Sequence, residues 1–186
     1  GMDESYIVGL FFARDEAALA ECRRRYGAYC RAIARNILGR EADAEECEND
    51  VYLAAWNAIP PAQPRSLRAF LGKIARNLAL GRYERESAQK RGGGEACAVL
   101  DELAECLGAP GAASDRAEAA ELAAAVDAFL RRRGARERVI FLRRVFYCDG
   151  IADIARRSGL SEAAVKSSLK RTRAALRAHL KEEGFI

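Results

Sequence analysis

The sequence predicts an all-α protein built as two small helical domains joined by an acidic linker. Three observations point there. Apolar residues recur at three- and four-residue spacings in two separate blocks. Ala, Leu and Arg are plentiful while aromatic residues make up only 8%, a composition that favours helix over sheet. Glycine and proline cluster between the blocks, at Gly92-Gly93-Gly94, Gly108, Pro110 and Gly111, and interrupt the periodicity. The 186 residues, half of them hydrophobic, suffice for one medium domain or two small ones. The expected divisions are 1–91, a linker over 92–118, and 119–186.

The first block reads as helices near 5–20, 21–38, 43–58 and 66–89. Asp43 is a plausible N-cap for the third and Ser66 for the fourth. Pro60, Pro61 and Pro64 make 59–65 a loop. In the fourth helix Leu67, Phe70, Leu71, Ile74 and Leu78 form one stripe, and Lys73, Arg76, Asn77, Tyr83 and Ser87 lie opposite. Within the linker, Val99, Leu100, Leu103 and Leu107 have helical spacing, so a short amphipathic helix that docks onto another surface is expected. The second block runs from Glu121, with breaks at Gly134, Asp149-Gly150 and Gly159.

The net charge of +4 conceals strong segregation. Residues 41–50 carry six acids and no base, and residues 65–91 carry eight bases against two acids. Residues 95–121 carry seven acids and one base, and residues 131–182 carry fifteen bases against five acids. Two basic blocks flanking an acidic one suggest two nucleic-acid surfaces and a segment that avoids nucleic acid. The acids of 41–50 lack basic partners at i,i+4, which favours a basic partner outside the chain.

Several classes are disfavoured. No apolar run approaches the roughly 18 residues of a membrane span. The opening Gly1-Met2-Asp3-Glu4 has no basic stretch before an apolar core, so no signal peptide is expected and the expected location is the cytoplasm. Cysteines at 22, 30, 47, 97, 106 and 148 form no Cys-x-x-Cys pair, and His179 is the single histidine. They read as small buried hydrophobes in a reducing compartment, with no metal or other cofactor expected. His179 reads as a surface residue. No nucleophile–base pair is evident and no carboxylates cluster on the basic faces, so an enzyme is not expected.

The sharpest local signal runs from Ile151 to Leu169. A first helix over Ile151–Ser158 meets the turn Gly159-Leu160-Ser161, and a second helix begins at Glu162 with Ser161 as its N-cap. Ala155 is small where two helices would cross, Gly159 stands where the turn needs positive φ, and Val165 faces inward. Ile154, Leu160 and Leu169 complete a small core. This is helix-turn-helix spacing. Ser161, Glu162, Ala163, Lys166, Ser167 and Lys170 lie on the outward face of the second helix, where Lys can reach guanine and Glu can accept from cytosine. Arg171, Arg173 and Arg177 suit phosphates.

Taken in order, the two halves resemble the extracytoplasmic-function (ECF) sigma factors of bacterial RNA polymerase. Asp43-Ala44-Glu45-Glu46-Cys47-Glu48-Asn49-Asp50 through Trp56 resembles the core-binding helix of sigma region two. Phe70-Leu71-Gly72-Lys73-Ile74-Ala75-Arg76-Asn77 through Arg91 resembles the helix that reads the minus-ten element and melts the promoter. Val139-Ile140-Phe141-Leu142-Arg143-Arg144 with the helix-turn-helix resembles sigma region four. The resemblance covers roughly 20–91 and 121–181.

The resemblance implies core RNA polymerase and promoter DNA, both duplex and non-template single strand, as partners, and admits an anti-sigma factor as a further one. It implies polymerase binding through Glu45, Glu46, Glu48, Asn49 and Asp50. Strand separation would fall to the 59–65 loop with Lys73, Arg76, Asn77, Tyr83 and Ser87. Minus-thirty-five recognition would fall to Ser161, Glu162, Ala163, Lys166, Ser167, Lys170, Arg171 and Arg173. Trp56 matches a core aromatic. The chain departs from the family's frequent pattern at Gly81 and in Pro60-Pro61-Ala62-Gln63-Pro64, so preferred minus-ten bases do not carry over. The alternative is a dimeric helix-turn-helix regulator that binds duplex DNA without polymerase.

Overall fold

The computed structural model describes residues 3–87, 98–100, 102–103 and 116–186. Every regular element among them is helical, and the chain divides into two compact units, 1–94 and 95–186. The first contains α1 (Glu4–Phe12), α2 (Ala17–Leu38), α3 (Glu41–Ala58) and α4 (Leu67–Ser87); the second contains α5 (Arg116–Arg131), α6 (Ala135–Val145), α7 (Ile151–Ser158) and α8 (Glu162–Glu182).

In the first unit α2 packs against α1, α3 and α4, and α3 packs against α4. Ile7, Phe11, Ile33, Ile37, Val51, Ile59, Leu67 and Leu71 fill its core. Three sequence expectations shift. The predicted break near residue 20 falls instead at residues 13–16, where Arg14 takes φ +56 and Asp15 accepts from the Ala17 N–H at 2.9 Å. No Gly or Pro announces this break, so periodicity carried through it. α3 starts at Glu41, and Asp43 lies inside its first turn, paired with Arg40 rather than capping. In α4 the fully buried line is Leu67, Leu71, Ala75 and Ala79, with Phe70, Ile74 and Leu78 only half-buried. The small residues let the helix lie close to its neighbours, and the Cys47 thiol points at the Ala75 carbonyl at 3.9 Å. Ser66 does accept from the Ala69 N–H, at 3.3 Å.

In the second unit α8 packs against α5, α6 and α7 around Phe129, Ile140, Phe141, Ile154, Val165, Leu169, Leu176 and Leu180. The helix-turn-helix is as the sequence predicts. Gly159 ends α7 at φ +64 and Ser161 caps α8 by accepting from the Ala164 N–H at 3.2 Å. Ala155 is buried at the crossing, and Leu160 is partly buried against the core. His179 differs from the expectation of a surface residue: it is half-buried and stacks on Phe129, with ring centroids 5.5 Å apart. Cys22, Cys30, Cys47 and Cys148 are buried free thiols. Burial pushes Cys22 and Cys30 up to about 12 and Cys47 to about 11, so these three sit as neutral apolar groups. Cys97 and Cys106 lie outside the described residues.

Candidate nucleic-acid interface

The start of α8 presents a continuous outward face. Ser161, Glu162, Ala163, Lys166, Ser167, Lys170 and Arg171 are all exposed, while Val165, Ser168, Leu169 and Thr172 turn inward. The inward set anchors the helix on α6 and α7. Its N-terminal two turns therefore stand clear with side chains of groove-reading type.

Arg173, two residues further on, is engaged inside the unit. The linker segment at 98–103 is helical where described, with Val99 buried. Its Glu102 accepts from Arg173 Nη1 at 2.8 Å and from Arg144 Nη2 at 2.9 Å. Arg144 is 3% exposed and also donates to the Asp149 carbonyl at 3.0 Å. A guanidinium this buried needs a carboxylate partner, and the linker supplies it. This segment is thus held on the second unit by Val99 and Glu102, while Leu100 is exposed and Leu103 half-buried; Leu107 lies outside the described residues.

On α4, Lys73 and Asn77 are exposed, and Arg76 and Tyr83 are half-buried. At 100° per residue these four and position 87 fall within about 120° of one another, on the side opposite Leu71, Ala75 and Ala79. The side chain of Ser87 lies outside the described residues. Half-buried Phe70 and Ile74 border this polar face, so it offers apolar as well as charged surface.

The acids of α3 overturn one expectation. They have partners within the unit, some from neighbouring arginines and some from arginines on α2 and α4. Arg31 reaches Glu41, Glu45 and Glu48, Arg35 reaches Glu41, Arg40 reaches Asp43, and Arg82 reaches Glu46 at 3.2 Å and Asp50 at 2.5 Å. Asn49 accepts from Arg23 at 2.8 Å. Glu48 is not at the surface at all. It is 2% exposed and accepts from Arg31 Nε and from the Tyr52 hydroxyl, each at 2.6 Å. A Cβ on Gly27 would come within 2.9 Å of the Glu48 carboxylate, so glycine there makes room for it. Burial and the bond to Glu48 push the Tyr52 phenol well above its usual range, keeping it a donor. Glu45, Glu46 and Asn49 are exposed and Asp50 is half-buried, and these four are left as the outward part of the predicted set.

Two residues absent from the sequence-predicted sites also shape this region. Glu4 accepts from the first amides of α4, and Arg14 donates to carbonyls at the end of α3. Burial opposes ionisation of Glu4, but bonds from Tyr26, Leu67 and Arg68 outweigh it and hold its pKa below the ordinary value.

Two family models match the chain: sigma-70 region 2 over residues 23–89 and sigma-70 region 4 over residues 135–176. Together they span more than half of it. The chain belongs to the sigma-70 family. Its pairing of region 2 with region 4 is that of an ECF sigma factor of RNA polymerase. Region 2 holds α3, the 59–65 loop and the α4 face; region 4 holds the helix-turn-helix. A solved structure described as CnrH in complex with the cytosolic domain of CnrY is similar at 22% identity and TM-score 0.44, covering 96% of this sigma factor and 97% of that chain. No curated protein sequence matches it. Among the described residues no helix is long and apolar enough to cross a membrane, and no group of three or more His, Cys, Asp or Glu side chains could hold a metal ion.

Proposed function

We propose that this sigma factor divides polymerase docking and promoter recognition among three surfaces and works in the cytoplasm without chemistry of its own. Glu45, Glu46, Asn49 and Asp50 on α3 dock on core polymerase, with Glu48 an internal support for that helix. The 59–65 loop with Lys73, Arg76, Asn77 and Tyr83 holds the separated non-template strand, and Ser87 belongs to the same face. Ser161, Glu162, Ala163, Lys166, Ser167, Lys170 and Arg171 engage the minus-thirty-five element, with Arg173 adding a phosphate contact once Glu102 releases it. An anti-sigma factor is a further partner in this reading.

The observation that carries the reading is the α8 N-terminus. It is seated on a closed core and capped by Ser161, with its reading residues exposed. In the α4 face, cations for phosphates adjoin an amide and an aromatic ring suited to unpaired bases.

Replacing Lys73, Arg76 and Asn77 together with Ala tests the assignment of strand opening. Core binding and closed-complex formation should persist, and permanganate footprinting should show open complexes lost on duplex promoter. A pre-melted bubble should restore activity at least in part, because the unpairing cost of a few kcal/mol is then removed. Full opening of duplex DNA by the triple variant would place the melting surface elsewhere. Duplex binding by the free protein as a dimer on a palindrome would favour a conventional regulator instead.

A further inference from the structure

The segment 4–14, which is α1 and the two residues after it, holds the chain at both ends of the 59–66 loop. At the N-terminal end, the Glu4 carboxylate accepts from the Leu67 N–H at 2.9 Å, the Arg68 N–H at 3.2 Å and the Tyr26 hydroxyl at 2.7 Å. The two amides open α4, where a helix carries unsatisfied donors and partial positive charge. Just past the other end of α1, Arg14 Nη1 donates to the carbonyls of Trp56 at 2.8 Å and Ile59 at 3.2 Å. These carbonyls close α3, where the charge of the helix end is negative. The Arg14 guanidinium also lies 4.1 Å from the Trp56 ring centroid, a stacking distance for a cation over indole. Between the two contacts, Ile7 and Phe11 are fully buried, which fixes the rod to the unit. An acid thus sits on the helix that leaves the loop and a base on the helix that enters it.

We propose that α1 is a strap that sets the geometry of the 59–66 loop, with Glu4 and Arg14 as positioning residues for capture of the separated DNA strand. The proposal rests on the reading that this loop and the α4 face hold that strand. Three prolines already restrict the loop's backbone. Fixing both of its ends removes most of what freedom remains, so binding a strand requires little further ordering of the protein. Neither positioning residue needs to touch DNA. Each acts through the main chain that it holds.

The test uses the full chain assembled with core RNA polymerase, at a temperature where every variant remains folded. Glu4→Ala, Arg14→Ala and the double variant are compared with Glu4→Gln and with the Lys73/Arg76/Asn77 triple alanine variant. Readouts are core affinity, affinity for a single-stranded oligonucleotide of the non-template minus-ten sequence, and permanganate footprints on duplex promoter. The strap predicts unchanged core affinity. It predicts about tenfold losses in strand affinity and in opening for Glu4→Ala and Arg14→Ala, as for a binding group misplaced by less than an ångström. Glu4→Gln, which keeps an acceptor oxygen at the start of α4, should recover part of the loss. Parent-like strand affinity in the alanine variants, with the triple variant defective, would overturn the strap and leave the strand-holding surface standing. Normal opening by the triple variant would overturn both. Losses that follow melting temperature and vanish on cooling would make α1 structural only, which also overturns the proposal.

Discussion

In α3 six acids fall within ten residues, and each is met by an arginine of the same unit. At the start of α8 Glu162, Lys166, Lys170 and Arg171 stand exposed. Besides Asp149, which pairs with Arg143, that unit draws an internal carboxylate from the linker, where Glu102 holds Arg144 and Arg173. A run of like charge in sequence is therefore a poor guide to the charge a partner meets. In the first unit the run is largely balanced by neighbours on α2 and α4, leaving shaped polar contacts rather than a bare acidic field. In the second unit the local basic face keeps its groove-reading character, and one of its phosphate-type arginines is held back.

The largest effect should come from breaking the buried end of the α3 network. Arg31→Met leaves Glu48 with Tyr52 alone, and an uncompensated buried charge costs about 3 kcal/mol. Urea unfolding should show that loss, and adding Glu48→Gln should recover part of it. A loss below about 0.5 kcal/mol would mean that the network is solvated and the contrast between the units is weaker than drawn.

A smaller effect should come from releasing Arg173 from Glu102. Glu102→Gln should increase duplex binding of the free protein several-fold and steepen its salt dependence by about one counterion. Arg173→Ala in the same background should cancel that gain uniformly across sequences. Lys170→Ala should instead relax preference at one or two positions by about 1–3 kcal/mol. An unchanged salt slope for Glu102→Gln would show that Arg173 is available to DNA despite its carboxylate.

The smallest effect concerns acid. The folded pKa of Glu4 lies below its ordinary value of 4.5. Its contribution is therefore present above that value and is lost as pH falls through the folded pKa. Between pH 6 and pH 3 the parent protein should lose more stability than Glu4→Gln, seen as converging urea midpoints. Parallel curves would show that ionisation of Glu4 adds nothing to stability.

What the sequence determined by itself is local. The all-α class follows from apolar periodicity. The helix-turn-helix follows from Ala155, Gly159, Ser161 and Val165, whose roles are set within about one turn of chain and one small core. A capping hydroxyl or a positive-φ glycine needs no distant partner to declare itself. Of the linker's apolar spacing, Val99 is buried but Leu100 is exposed. What only the tertiary structure decided depends on contacts between residues far apart in the chain. The Glu48 bond to Arg31 crosses 17 positions, Arg82 reaches Asp50 across 32, Glu4 reaches Leu67 across 63, and Arg173 reaches Glu102 across 71. The same holds for the buried line of α4. Ala75 and Ala79 add little to a hydrophobic pattern, yet they are fully buried. Periodicity reports which face of a helix is apolar. Which acid is buried, which arginine is held, and what fixes the two ends of a loop follow from how the helices pack, because a buried charge is tolerated only where folding brings a counter-charge to it.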